Sequence, residues 1–195
     1  MSEFIHLHNH TDYSLLDAAQ SIDMMCNRLD DIGMDTIAVT EHGNLFSLIP
    51  FYKHAIKKGI KPILGCEVYV ATGKHTDRHI DKNSQKWNYH HLLLLVQNNK
   101  GLKNLIQLVS IGFLDGFYYK PRIDKDLIRE NNEGLICTSG CLAVEVNHYA
   151  SIDDYEGAKQ AALEYQEIFG ERFYLEVQNH GINDEIKSHK ILLKL

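Results

Sequence analysis

What the chain lacks sets the first limits. No apolar run can span a bilayer: the longest, LLLLV at 92–96, falls far short of the roughly 20 residues required. The opening MSEFIHLHNH has neither the basic nor the apolar region of a secretory leader. No C-x-x-C pair occurs; Cys26, Cys66, Cys137 and Cys141 are scattered, which argues against a disulfide framework. These absences predict a soluble, cytoplasmic protein without membrane partners. The G-x-G-x-x-G and P-loop strings are missing, so the usual nucleotide-cofactor signatures are excluded. There is no internal repeat and no low-complexity tract. An excess of positive charge is missing too. Twenty Lys and Arg against 26 Asp and Glu leave a net charge of −6, so no bulk basic surface advertises nucleic acid. A site that meets phosphate through bound cations stays open, because those charges lie outside the count.

What is present is a strand–helix rhythm. FIHLH, DTIAVT, KPILGCEVYVA, HLLLLVQ, EGLICTSG and RFYLEVQ read as strands. SIDMMCNRLDDIG reads as a helix with Ser21 as N-cap and Gly33 as stop. NLFSLIPFYKHAIKKG, KGLKNLIQLVSIGF, IDKDLIREN, SIDDYEGAKQAALEYQEIFG and NDEIKSHKILLKL read as further helices. The polar segment 72–88 has no apolar period and reads as a loop. At 195 residues the chain suffices for one domain. The alternation predicts an α/β fold with a parallel sheet, either doubly wound or closed into a barrel. The final IKSHKILLKL reads as the middle of an amphipathic helix without a stop, which suggests a longer polypeptide.

Metal-binding residue types recur where strands begin or end. His6, His8 and His10 follow the first strand, Glu41 and His42 the second; Cys66 and Glu67 lie on the third. Tyr89, His90 and His91 stand, exceptionally, at the start of the fourth; Cys141, Glu176 and His180 follow later strands. Histidine, carboxylate and thiolate together are a transition-metal inventory, compatible with zinc, manganese or iron. Residues two apart in a strand share a face, so His6 and His8 are expected to converge. A carboxylate such as Glu67 can bridge two cations, and paired cations clamp phosphoryl groups and activate water. Taken singly, each residue has a plainer reading. His54, His75, His79, His148 and His189 are expected to be ordinary surface or core histidines, and Cys141 alone a small buried residue. The residues 116–124, GFYYKPRID, could stack on a base or hold a phosphate, or could be a packed loop with its cations reaching solvent.

The strings HLHNHTDYSLLDAA, TEHGNLF, GIKPILGCEVYV, HLLLLVQNNKGLKNL, GFYYKPRID, EGLICTSGCL and FYLEVQNHG, in this order, resemble the N-terminal PHP (polymerase and histidinol phosphatase) domain of bacterial DNA polymerase III alpha subunits. The resemblance covers essentially the whole chain. It implies a distorted, TIM-like (β/α)7 barrel, here truncated before its last strand, with two or three divalent metal ions at one end. Zinc is the first expectation, manganese and iron the others. By the resemblance the ligands are His6, His8, Asp17, His42, Glu67, His91 (with His90 as rival) and Cys141. His10 and His180 are candidates for substrate contact in catalysis or for supporting the ligands from behind. Two departures stand out. The usual T-D-H-G is TEHG, which gives Glu41 a longer arm, and a later Asp-x-His ligand pair has no counterpart.

Some alpha subunits have lost ligand residues and keep the domain as scaffold, whereas every ligand position this chain reaches is filled. The resemblance therefore implies a metal-dependent phosphodiesterase acting as a 3′–5′ proofreading exonuclease. Its partners would be a DNA primer-template and the other subunits of the replicative polymerase. Polymerase activity itself would reside in other parts of a longer chain. Two rival readings are a structural module that docks a separate proofreading subunit and a free-standing phosphatase of the same superfamily.

Overall fold

The structure is a computed structural model that describes residues 4–78 and 88–195. His79 and most of the 72–88 loop lie outside the described residues. Helices α1 (Ile22–Ile32), α2 (Leu48–Lys57), α3 (Asn99–Leu114), α4 (Lys125–Glu130), α5 (Glu145–Ser151), α6 (Tyr155–Phe169) and α7 (Asn183–Leu192) are interspersed with strands. These are β1 (Thr36–Val39), β2 (Lys61–Ala71), β3 (Tyr89–Val96), β4 (Phe117–Tyr118), β5 (Lys120–Ile123), β6 (Leu135–Thr138) and β7 (Phe173–Tyr174). Local chemistry sets several boundaries. Ser21 accepts a hydrogen bond from Met24 N to start α1, and Gly33, at φ 68°, ends it. Pro50 is tolerated because it lies in the first turn of α2, where amides have no partner within the helix.

The sheet is mixed, not parallel as expected. β2 pairs in parallel with β1 through residues 61–64 and with β5 through residues 69–70, but antiparallel with β3. β3 is also antiparallel to β6, which pairs in parallel with β7. The reason is the connection. β2 and β3 are joined through segment 72–88, which the sequence reads as a loop, whereas a parallel return needs a crossover, usually helical. The reversal puts the start of β3 at the same end of the sheet as the end of β1. That explains why His91, at a strand's beginning, shares a site with residues that follow strands.

The strands predicted at the two chain ends are shorter than expected. FIHLH forms a single parallel bridge, His6 to Ile37, and only Phe173–Tyr174 of RFYLEVQ joins the ladder. Residues 6–9 nevertheless lie along β1, with Ala38 N donating to His6 O and Thr40 N to Asn9 O, both at 2.9 Å. The two edges of the sheet meet where His8 Nδ1 contacts Glu176 Oε1 at 2.8 Å, so the sheet curls in the manner of a barrel. Leu92, Leu94, Leu105, Leu108, Tyr165 and Phe169 head one buried cluster between the sheet and helices α3 and α6. Met25, Cys26, Leu29, Ile37, Val39 and Phe51 pack α1 and α2 on β1. Each fully buried large side chain contributes roughly 1.5–3 kcal/mol.

Candidate metal centre

Backbone pairing brings the central residues together. The chain leaving β1 continues beside β2, so that Glu67 N donates to Glu41 O at 3.1 Å and Gly43 N to Glu67 O at 2.8 Å. This sets His42 against Glu67. Gly43 is required at this point: its φ is +61°, and a Cβ would lie 2.6 Å from the Tyr69 ring. Across the sheet, Tyr69 opposes His91 and Glu67 opposes Leu93, so Glu67 and His91 share a face. His90 points away, toward the ring of His148 at 5.8 Å. Of the two rival histidines, His91 is the one that faces Glu67.

Four imidazoles converge on the Glu67 carboxylate, whose side chain is 1 % exposed. Oε2 lies 2.9 Å from His42 Nδ1, 3.3 Å from His10 Nε2 and 3.4 Å from His8 Nε2. Oε1 lies 3.0 Å from His91 Nδ1 and accepts from Cys141 Sγ at 3.3 Å. Asp17 reaches the group from the rim, its Oδ2 2.8 Å from His42 Nε2. Three overlapping triads keep their ligand atoms within 4.8 Å of one another: His8, His10 and Glu67; His10, Asp17 and His42; His42, Glu67 and His91.

His6 does not join them. Its side chain is exposed and meets the Phe4 ring edge-on at 5.0 Å. The bend at His8 breaks the two-residue alternation, and the H-x-H pair that converges is His8 and His10. His10, expected to contact substrate or support the ligands, therefore stands among the ligand candidates. His180 is also apart, exposed and paired through Nδ1 with Glu185 at 2.7 Å. Cys66 faces the interior and donates to the carbonyls of Glu41 and Asn44.

The donor set fits cations. Glu67 Oε2, His10 Nδ1 and His42 Nδ1 are all buried and lack a hydrogen bond of acceptable geometry. Buried polar groups in that condition cost about 1–3 kcal/mol each, a cost that coordination removes. Nitrogen, oxygen and sulfur donors together suit a transition metal. The electrostatics agree. Burial opposes ionisation of Glu67, but the four imidazoles drawn up to it, His10 and His42 foremost, outweigh it and hold the carboxyl well below its usual range. Burial likewise opposes charge on His8, yet Glu176 and Glu67 push its imidazole up to about 10. Burial, with the Glu67 charge, pushes the Cys141 thiol up to about 12. Protons thus occupy donor atoms that a cation would claim.

Two supports carried no assigned role in the sequence reading. Glu176 Oε1 lies 2.8 Å from His8 Nδ1; Glu176 also accepts from Thr138 Oγ1 and from Gln178 Nε2. With Nδ1 as donor, His8 is left to offer Nε2 to the centre. Glu41, 1 % exposed, accepts from the hydroxyls of Thr11 and Ser14 and from Thr11 N. It points away from the centre and ties down the loop that carries Asp17. The longer arm of TEHG is thereby explained. The signal for Glu176 was its place just after a strand; nothing local showed that this edge meets the first.

This barrel end, with its imidazoles and carboxylates around a shared point, defines a class that comparison confirms: the PHP domain family matches residues 6–180, and the chain belongs to it. Among curated proteins, DNA polymerase III subunit alpha of Borreliella burgdorferi is 46 % identical over 99 % of this chain and 17 % of its own length. The proteins of that name from Helicobacter pylori strain J99 and Aquifex aeolicus are 44 % and 40 % identical over 93 % and 99 % of the chain. The chain thus spans about one-sixth of these relatives. A solved structure from Bifidobacterium adolescentis, provisionally described as a metal-dependent phosphoesterase, shares the fold. Its TM-score is 0.53 at 11 % identity, over 97 % of this chain and 83 % of the other. Among the described residues no helix is long and apolar enough to cross a membrane.

Proposed function

We propose that the chain is the PHP domain of a bacterial replicative DNA polymerase III alpha subunit, and that its metal centre hydrolyses the terminal phosphodiester of a DNA primer strand as a 3′–5′ exonuclease. The observation that carries this reading is the convergence of His8, His10, His42 and His91 on buried Glu67, with one carboxylate oxygen left without a hydrogen bond. These residues, with Asp17 and Cys141, would hold two or three divalent ions; zinc, manganese and iron all suit the set. Bound there, such ions supply an acidified water and positive charge for the scissile phosphate.

The chain's own residues do the rest. Glu176 fixes the His8 ring so that Nε2 faces inward. Glu41 holds the 11–14 loop, and Asp17, at the open rim, orients His42 through Nε2. Asp17, His42 and His91 line a cleft of about 970 Å³, wide enough for a nucleotide end. The partners on this reading are the primer-template and the other replicase subunits, and the location is cytoplasmic.

The test is a 3′-mismatched primer given to the intact polypeptide. Metal-dependent release of the terminal nucleotide is expected, with at least a hundredfold loss in His8→Ala while the fold and polymerase activity persist. Removal that continues undiminished in His8→Ala would point to another site. A metal-bearing domain without nuclease activity would favour a structural module that docks a separate proofreading subunit.

A further inference from the structure

The cleft beside the centre has one feature the metal ligands do not explain. Lys120 is the one lysine or arginine among the described residues that lines it. Its ammonium lies 5.2 Å from the centre of the Tyr69 ring. Tyr69 in turn meets the His91 ring edge-on at 5.0 Å and lies nearly parallel to the His42 ring at 6.3 Å. Tyr69 thus contacts both the Lys120 ammonium and the rings of two ligand candidates. Lys58, Lys74 and Lys125 are each matched by a carboxylate. Lys120 has no such match among the described residues, where its partner is the Tyr69 face.

The position is built rather than free. β4 and β5 form a tight antiparallel ribbon in which Tyr118 opposes Lys120, leaving Tyr119 at the tip with φ 61°. Two residues on, Arg122 is buried and donates to the carbonyls of Gly116, His75 and Asp77, tying the ribbon to the strand and loop behind it. The GFYYKPRID string thus splits its cations: Arg122 is structural, while Lys120 is presented to the cleft. The rest of the cleft wall combines the ligand candidates and polar groups, Ser14, Asp17 and Asn44 among them, with aromatic and aliphatic side chains, of which Tyr13, Leu16 and Phe46 are exposed. The aromatic and aliphatic part suits bases, and Lys120 is the cationic group on the wall suited to a phosphate.

We propose that Lys120 is a subsite for the phosphate flanking the scissile diester, and that it makes the site prefer a polynucleotide end to an isolated phosphoester. The inference rests on the exonuclease reading. Metal ions in the centre would neutralise the scissile phosphate, but the next phosphate along a strand would enter a cleft whose protein carries a net charge of −6. An ammonium on an aromatic face, unmatched by a carboxylate, supplies the missing counter-charge. A small phosphomonoester has no second phosphate and would leave Lys120 unused.

The experiment compares a single-stranded oligonucleotide with thymidine 5′-monophosphate p-nitrophenyl ester, a diester without a flanking phosphate, in the intact polypeptide. In Lys120→Gln the ratio of kcat/KM for oligonucleotide to that for the small diester is expected to fall about tenfold, through KM. Lys120→Arg should restore most of it. The dependence of log KM for the oligonucleotide on log salt should flatten by roughly 0.7, the contribution of one single-strand phosphate contact. An unchanged ratio and slope would overturn the assignment and reduce Lys120 to a surface partner of Tyr69. Absence of hydrolysis of both substrates by the unmodified protein would overturn the exonuclease reading, and the subsite with it.

Discussion

Replacing Glu176 by glutamine removes one charge while keeping size and an acceptor oxygen, and it isolates how the second edge of the sheet serves the centre. Burial alone would raise the Glu176 carboxyl; His8, Thr138 and Gln178 outweigh it and hold it below the usual range. Its charge keeps His8 basic and fixes which nitrogen faces Glu67. Partners of this kind behind a ligating histidine are typically worth 10–100-fold in metal affinity, or about 1.4–2.8 kcal/mol. The assay is zinc competition against a chromophoric chelator on the intact polypeptide near neutral pH. Circular dichroism of the metal-free variant serves as the fold control. Glu176→Gln should bind 10–100-fold more weakly. The unmodified protein should release a proton on binding, because the His8 imidazole, pushed up to about 10, must surrender it, and the variant, without the Glu176 charge, should release less. Affinity within twofold of the unmodified protein would refute the reasoning and leave Glu176 as edge packing.

Other substitutions separate structure from ligation. Glu41→Gln weakens the tie to the Thr11 and Ser14 hydroxyls; a loss of about 1–3 kcal/mol is expected, read as a Tm several degrees lower, and an unchanged Tm would contradict it. His6→Ala should leave metal content unaltered, since the ring is exposed against Phe4; loss of an ion would return His6 to the ligand set. Acid should loosen the start of α4. Burial would raise the Asp124 carboxyl, but His75 and the Leu127 and His75 amides outweigh it and hold it below the usual range. That stabilisation is complete above the unfolded value of about 3.9 and is lost as pH falls through the lower folded value. Asp124→Asn should accordingly flatten the acid limb of the stability curve, and a limb of unchanged steepness would assign acid sensitivity elsewhere.

The legible parts of the fold were those with local causes. Ser21 and Gly33 bound α1 as their chemistry predicts, and KPILGCEVYVA is a strand over its full length. The direction of β3 was hidden because parallel and antiparallel buried strands carry the same apolar run; only the nature of the connection distinguishes them. Helix α5 has no capping side chain at Val144 and a β-branched Val146 in its first turn, so its sequence announces no helix. In the site, His42, Glu67, His91 and Cys141 come together where strand ends predicted chemistry. His10 stands with His8 at the centre and His6 stands apart because the chain bends at His8, where a regular strand would place His6 and His8 on one face. The Glu176–His8 contact joins residues 168 apart and depends on sheet curvature, which no local pattern encodes.

The most direct test is the metal content of the intact polypeptide, measured by elemental analysis beside a His42→Ala variant, whose histidine belongs to two of the three triads. The account predicts about two to three transition-metal ions per chain, with at least one lost in the variant and the fold retained. A natively folded polypeptide that carries no transition metal, and takes none up when supplied with zinc or manganese, would contradict it.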